Sequence, residues 1–326
     1  MYRVSSLAGA DGRVFGNERV RLLRIYLGTT TFLYLYGVVF TLFPVRTDIA
    51  YGNPVGGIIA IVLGVSSLAY LAVRRDHLMP VTLAAIAATP IVMAFHVTIT
   101  AEYVCLIAPM FLAMYLRAFH PPRVAWLLIA ILTIACLVAV ALAPAPHIGV
   151  ITFLIMTVAI IGAAESFGLL MRATFTAACT DPMTGLLNRA GWEIATTDVW
   201  SRSRTSPRPV TVVALDIDGL KRLNDTFGHP AGDRRITEYA DQWRRAAPRG
   251  AVLARLGGDE FAVCLTGRKS KVVEDFVADV RSRTPEVSLG VAGGTAPENT
   301  VGELYARADA ELYRSRGRPL RDDSTR

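Results

Sequence analysis

Six apolar segments fill the first half of the chain and decide what that half can fold into. They run from Ile25 to Phe43, Val55 to Val73, Leu78 to Ile99, Glu102 to Leu116, Val124 to Ala143 and Ile148 to Met171, each near the ~20 residues that a helix needs to cross a hydrocarbon core. An all-α transmembrane bundle of six spans, set in a lipid bilayer, is therefore expected over residues 1–171. Basic residues orient it. Arg3, Arg13, Arg19, Arg21 and Arg24 precede the first span, Arg74 and Arg75 separate the second and third, Arg117 and Arg123 the fourth and fifth, and Arg172 follows the sixth, whereas the alternate loops contain only Arg46. Since Lys and Arg collect on the cytoplasmic side, the expected placement is multi-pass in the inner (cytoplasmic) membrane with both termini in the cytoplasm. The polar first twenty residues carry no pattern of a cleavable leader. An ionisable group at membrane depth is costly and usually faces a partner or a cavity, so His96, Glu102 and Glu165 are the candidate sensor residues.

Composition changes sharply after Met171. Residues 1–171 hold 10 Arg and 6 Asp or Glu, whereas residues 172–326 hold 24 Lys or Arg and 21 Asp or Glu. The second half is thus a water-exposed domain with a nearly balanced charge, and its basic residues are not clustered as nucleic-acid binding would require. Cys105, Cys136, Cys179 and Cys264 lack paired spacing, which argues against a disulfide framework or a zinc site and for a reducing compartment. Residues 172–180 contain no Gly or Pro and extend the sixth helix up to Pro182, so 172–182 is expected to be a helical signalling linker. Beyond it, Asn188 is the expected N-cap of a helix reaching about Trp200. Val210–Leu215 is a buried strand, Leu220–Phe227 and Asp233–Ala247 are helices, Lys271–Arg283 a third, Val287–Ala292 a strand and Val301–Arg316 a closing helix. The sum is an α/β sandwich on a largely antiparallel sheet.

Two acidic clusters stand at strand ends. Gly257-Gly258-Asp259-Glu260-Phe261 forms the tip of a hairpin, and Leu215-Asp216-Ile217-Asp218 closes the first strand. Side chains alternate along a strand, so Asp216 and Asp218 share a side with the Ile217 carbonyl between them. A hairpin tip of this kind is either a solvated turn or half of a metal site. If the first strand lies beside the hairpin, Asp216 and Asp259 meet over one ion. Mg²⁺ suits oxygen ligands that leave room for substrate phosphates, and such a site points to phosphoryl or nucleotidyl transfer.

Four blocks in order carry a resemblance. They are Asp181-Pro182-Met183-Thr184-Gly185-Leu186-Leu187-Asn188-Arg189, then Asp216-Ile217-Asp218 with Lys221, then Asn224-Asp225-Thr226-Phe227-Gly228-His229 with Gly232-Asp233, then Arg255-Leu256-Gly257-Gly258-Asp259-Glu260-Phe261. Together they resemble the GGDEF domain of diguanylate cyclases, and Ser288–Ala292 and Ala308-Asp309 with Leu312-Tyr313 fit the family's last strand and helix. The resemblance implies a nucleotidyl-cyclase-like palm over residues 183–326 that condenses two GTP into cyclic di-GMP with release of two pyrophosphates. It implies that Asp216, the Ile217 carbonyl and Asp259 hold two Mg²⁺ per site, with Mn²⁺ able to substitute. Asp259 would also help activate the hydroxyl, and Glu260 would stand beside it as a supporting acid. Gly257 and Gly258 would let the hairpin approach the nucleotide, and Lys221 and Arg316 would reach the phosphates. Asn224 and Asp233 would read guanine, whose N1–H and 2-amino group are two adjacent donors that one carboxylate accepts.

Because each domain would hold one nucleotide of a two-nucleotide product, a homodimer is implied, with cyclic di-GMP effectors downstream. The rival reading is a catalytically inactive membrane receptor that binds GTP or a partner through a GGDEF-like domain. A third, a cyclase that takes adenine as well, is disfavoured by Asp233. The chain departs from the family at Gly219-Leu220, where aromatics are usual, and after Arg316, where Leu320 replaces a basic residue and Arg318 or Arg321 would have to serve. The chain closes soon after the last block, so no phosphodiesterase module is expected in it. Many members carry an inhibitory Arg-x-x-Asp product site before the hairpin; here that window is Pro248-Arg249-Gly250-Ala251. Adding micromolar cyclic di-GMP to the purified chain should therefore leave the rate of GTP consumption unchanged, and a clear drop in initial rate would refute this.

Overall fold

The computed structural model describes residues 16–44, 52–74, 77–145, 149–203, 208–268, 270–296 and 298–316. Arg3, Arg13, Arg46, Arg75, Arg318, Leu320 and Arg321, on which parts of the topology and phosphate-site expectations rest, lie outside these residues. The described residues divide into two compact units, one up to Arg172 and one from Ala173 onward.

The first unit is helical. Its elements are α1 (Gly16–Leu42), α2 (Val55–Val73), α3 (Met79–Met93), α4 (Ile99–Cys105), α5 (Ile107–Phe119), α6 (Pro122–Leu142) and the part of α7 (Val150–Cys179) up to Arg172. Among the described residues, five stretches are long and apolar enough to cross a membrane: Glu18–Leu42, Val55–Val73, Ile99–Phe119, Pro122–Leu142 and Val150–Cys179. The expected third span, Leu78 to Ile99, contains instead the 15-residue α3, about 22 Å long at 1.5 Å per residue. The expected fourth span is longer than its apolar core suggested. It is broken at Cys105–Leu106 because Pro109, three residues into α5, has no N–H for the Cys105 carbonyl.

Large apolar side chains such as Phe32, Leu127 and Leu154 face outward, while Leu23, Leu71, Met93, Leu112, Leu116, Ile129, Leu132, Met156 and Ile160 fill the interior. An outer surface this apolar suits lipid. Helices α1 and α2 approach closely because Gly64 has no side chain: a Cβ there would lie 1.9 Å from Thr31 Oγ1. The three sensor candidates are held differently. Glu102 is buried on α4, and His96 Nε2 lies 3.5 Å from Cys105 Sγ. Glu165 Oε1 accepts from Arg117 Nε at 3.0 Å and its Oε2 lies 3.5 Å from Arg172.

The second unit comprises α8 (Arg189–Ser203), β1 (Arg208–Ile217), α9 (Leu220–Phe227), α10 (His229–Ala246), β2 (Val252–Arg255), β3 (Glu260–Thr266), α11 (Ser270–Arg283), β4 (Val287–Ala296) and α12 (Val301–Ser315). The strands form one antiparallel sheet in the order β2-β3-β1-β4. β1 is central and apolar on both faces. Val213, Leu215 and Ile217 join Phe261, Val263 and Leu265 under Trp243, Tyr239 and Ile236 of α10 and Phe276 and Val280 of α11. The alternate residues, Val212, Ala214 and Asp216, face the opposite side.

There, α12 lies so close to β4 that a Cβ at Gly290 would be 2.0 Å from the Ala308 carbonyl oxygen. α12 begins with a capping box between Thr300 and Glu303, and Asn188 caps α8 by accepting from Gly191 N at 2.9 Å. One expectation shifts: α10 begins at His229, with Pro230 in its first turn, so Asp233 sits one turn inside the helix instead of starting it. Gly290→Ala should destabilise this unit by about 3 kcal/mol, because the added methyl meets backbone that cannot yield; urea unfolding of the variant measures it, and an unchanged midpoint would contradict this packing.

Candidate active site

The site grows from the β1–β3 ladder. Leu215 pairs with Phe261 and Asp216 with Glu260, and the ladder ends where Ile217 N–H donates to the Asp259 carbonyl at 3.2 Å. The N–H and C=O of a strand residue face the same neighbour, so the Ile217 carbonyl is directed toward the hairpin as well. Asp216, Ile217 and Asp259, named from separate stretches of sequence, thus stand at one sheet end. Asp216 is buried, 8% exposed. Asp218 accepts from Ser288 Oγ at 2.8 Å through both oxygens.

The hairpin is held from below. Leu256 N–H donates to the Glu260 carbonyl at 2.8 Å. Arg255 donates to the Gly258 carbonyl through Nη2 at 2.8 Å and Nε at 3.1 Å, and its Nη1 lies 3.2 Å from Asp181 Oδ1. Asp181 also accepts from Thr184 N at 2.9 Å and Thr184 Oγ1 at 2.7 Å. Burial would raise the Asp181 carboxyl, but the Thr184 bonds and the Arg255 charge outweigh it and hold the group below the usual range. Glu260 is exposed and faces Arg189 at 3.9 Å, a contact of little energetic weight. A Cβ on Gly257 would lie 3.2 Å from Glu260 Oε2, whereas one on Gly258 would meet nothing within 4 Å, so the space beside the tip is open.

Gly219, with φ 70°, turns the chain from β1 into α9 in a left-handed conformation that an aromatic residue would hold only with strain. Lys221, in the first turn of α9, is exposed. Asn224 on α9 and Asp233 on α10 stand on either side of the Gly228 turn, and a Cβ on Gly232 would lie 2.1 Å from Asn224 Oδ1. That oxygen is buried without a hydrogen-bond partner, an acceptor that calls for a donor. Asp233 is exposed beside it.

Arg316, expected to reach the phosphates, contacts two carboxylates here. Its guanidinium bonds Asp216 Oδ1 and lies 3.1 Å from Asp218 Oδ1. The Asp216 carboxyl is raised chiefly by burial, lowered by Arg316, and raised again by Asp259 and Asp218. This crowded negative charge, presented by hard oxygen donors, fits a divalent cation. Among the described residues no three His, Cys, Asp or Glu side chains converge as a metal cage, and Mg²⁺ commonly needs no more than one or two carboxylates when substrate phosphates complete its shell.

Sequence reasoning missed three things here: the Asp181–Arg255–Gly258 clamp, the Ser288 contact to Asp218, and the place of Arg316. Asp181 and Arg255 both stood in the matched blocks, but nothing in either block said that the two would meet. The inhibitory window folds as a turn in which Ala251 is buried and Gly250 takes φ 84°.

Residues 178–319 match the family model described as diguanylate cyclase, GGDEF domain. A Streptomyces griseus protein named "Uncharacterized protein in hutH 5'region" is 33% identical over 150 residues, which is 43% of this chain and 62% of that one. The probable diguanylate cyclase DgcC of Escherichia coli K12 is 32% identical over 148 residues, 42% of this chain and 40% of DgcC. The chain thus spans less than two thirds of either relative. The GGDEF domain of Caulobacter crescentus DgcB, solved in complex with c-di-GMP, is 29% identical with a TM-score of 0.39, covering 43% of this chain and 91% of that domain.

Asp181→Asn should lower the unfolding free energy of this unit by about 2 kcal/mol at neutral pH, the scale of breaking a partly buried charged hydrogen-bond set. A carboxyl held low in the fold contributes fully above its unfolded value of about 3.9 and loses that contribution as pH falls through the folded value. The gap between variant and wild type should therefore close below about pH 4, and a gap that persists there in denaturant titrations would disprove the assignment.

Proposed function

We propose that this chain, whose residues 178–319 belong to the GGDEF family, is a membrane-anchored diguanylate cyclase that joins two GTP into cyclic di-GMP and releases two pyrophosphates. The observation that carries the reading is the meeting of Asp216, the Ile217 carbonyl and Asp259 at one sheet end, with the unpartnered Asn224 acceptor on the helix that follows.

In this reading Asp216, Ile217 and Asp259 hold Mg²⁺, which when bound supplies positive charge to the phosphates and lowers the cost of ionising the attacking hydroxyl. The chain's own residues do the rest. Asp259 is placed by the Arg255 clamp to accept the 3′-hydroxyl proton, with Glu260 as its supporting acid. Lys221 and the exposed N–H groups at the start of α9 receive the phosphates. Asn224 and Asp233 pair with the guanine edge; adenine would leave the carboxylate unpaired, a mismatch that can cost ~10⁴ in selectivity. Gly258 leaves the open space into which the nucleotide fits. In-line attack then depends chiefly on positioning and charge neutralisation.

Residues 1–171 serve as the sensor, 172–182 as a signalling linker that is helical only as far as Cys179, not up to Pro182 as expected, and 183–326 as the cyclase. The short helix α3 completes a sixth crossing together with residues 94–98. Eight of its fifteen residues are buried, and irregular backbone at membrane depth is tolerated where protein covers it. With six crossings, and Arg74, Arg117, Arg123 and Arg172 on one side, both termini lie in the cytoplasm of a cell whose inner membrane holds the protein in this reading. The active species is a homodimer in which each copy brings one GTP, and a signal acts by changing how the two cyclase units face each other.

Membranes containing the full chain, given GTP, ATP and Mg²⁺, should yield cyclic di-GMP by mass spectrometry and no adenine-containing cyclic product. Asp259→Ala should lower the rate by about 10²-fold or more, and Asp233→Asn should raise the KM for GTP about tenfold. GTP binding without product would favour the non-catalytic receptor.

A further inference from the structure

The side chain expected at the phosphates is instead bound to the carboxylates. Arg316 follows the last turn of α12, and its guanidinium is half-buried against Asp216 Oδ1 and Asp218 Oδ1. Its Nε is buried without a partner, so the Asp216–Asp218 contact costs an unmet donor that a solvated or phosphate-bound arginine would not carry. Asp218 also accepts from Ser288 Oγ, and the ladder fixes the backbone of Asp216. A planar fork with fixed positive charge suits two carboxylates on one strand face better than an ammonium does.

A guanidinium on these oxygens and a divalent cation on the same oxygens exclude one another. We infer that Arg316 is an intramolecular competitor of the divalent cation at Asp216, and that entry of metal and nucleotide proceeds by displacing it. The displaced fork then becomes available to the phosphates that arrive with the cation, so one side chain neutralises carboxylates first and phosphate second. The inference rests on the cyclase reading for the identity of the nucleotide, but the competition itself concerns only the carboxylates and the metal.

Mn²⁺ binding to the full chain in lipid nanodiscs, without nucleotide, tests it through the electron paramagnetic resonance signal of free Mn²⁺. Arg316→Gln should bind Mn²⁺ about fivefold more tightly than wild type, the scale of removing one partly exposed opposing charge. Arg316→Ala should behave alike, and Arg316→Lys, which keeps the charge, should fall back toward wild type. Asp216→Asn should abolish the site. Thermal melting of each variant confirms that it is folded, and the two neutral replacements guard against failure of one.

Equal or weaker affinity in the neutral variants, a Lys variant no different from them, Mn²⁺ binding that survives Asp216→Asn, or no Mn²⁺ binding in any form would each overturn the inference. Product analysis of the wild-type chain, with GTP and Mn²⁺ added, separates the two ideas when set beside the metal affinities of the variants. Tighter metal binding with no cyclic di-GMP supports the competition and removes the cyclase reading. Unchanged metal binding with normal product removes the competition alone.

Discussion

The pairing of β1 with β3 is the constraint on which the candidate site depends. The two strands meet in a register that sets Asp216 against Glu260 and lets Ile217 reach the Asp259 carbonyl. A slip of one residue would turn Asp216 into the core formed with α10 and α11 and bring Leu215 out, and burying an unpaired carboxylate costs several kcal/mol. Register is thus enforced by Val213, Leu215 and Ile217 on one side of β1, under Trp243 and Phe276. The acids at the strand end inherit their position from apolar residues that take no part in chemistry.

The Arg255 clamp extends the same constraint into the turn. Two glycines at a hairpin tip leave the chain free to wander, and Arg255 removes part of that freedom by holding the Gly258 carbonyl while its other end is fixed on Asp181. Asp181 is fixed in turn by Thr184. A loop flexible enough to admit a ligand closely is thereby tied to a rigid turn at its base.

Much of this was legible in the chain itself. Strand and helix positions follow from periodicity: the buried run Val210–Leu215, the hairpin, and the amphipathic helices after it fall within a few residues of where they stand, because burial on one face writes a visible pattern. The Asn188 cap was legible too, since its chemistry is local. The start of α10 was not, because Pro230 in the first turn reads equally as a loop. The membrane half was legible as apolar segments, but their lengths were not: α3 is shorter than its segment because the helix ends at Met93, and Ile99–Phe119 is longer because Glu102 is tolerated inside it. Least legible was Arg316. Its sequence position matches a phosphate ligand, whereas its partner is decided by where the end of α12 lies relative to β1, a distance that no spacing encodes.

The small clearance at Gly232 has a consequence for how this domain can change over time. Asn224 occupies space that exists only because position 232 lacks a methyl group, so the two positions are epistatic although they lie on different helices. A larger residue at 232 forces Asn224 out of its present place, whereas trimming 224 first removes the conflict. The mutational path between this and any alternative pairing therefore has an order, and drift at one position is held in check by the shape of the other.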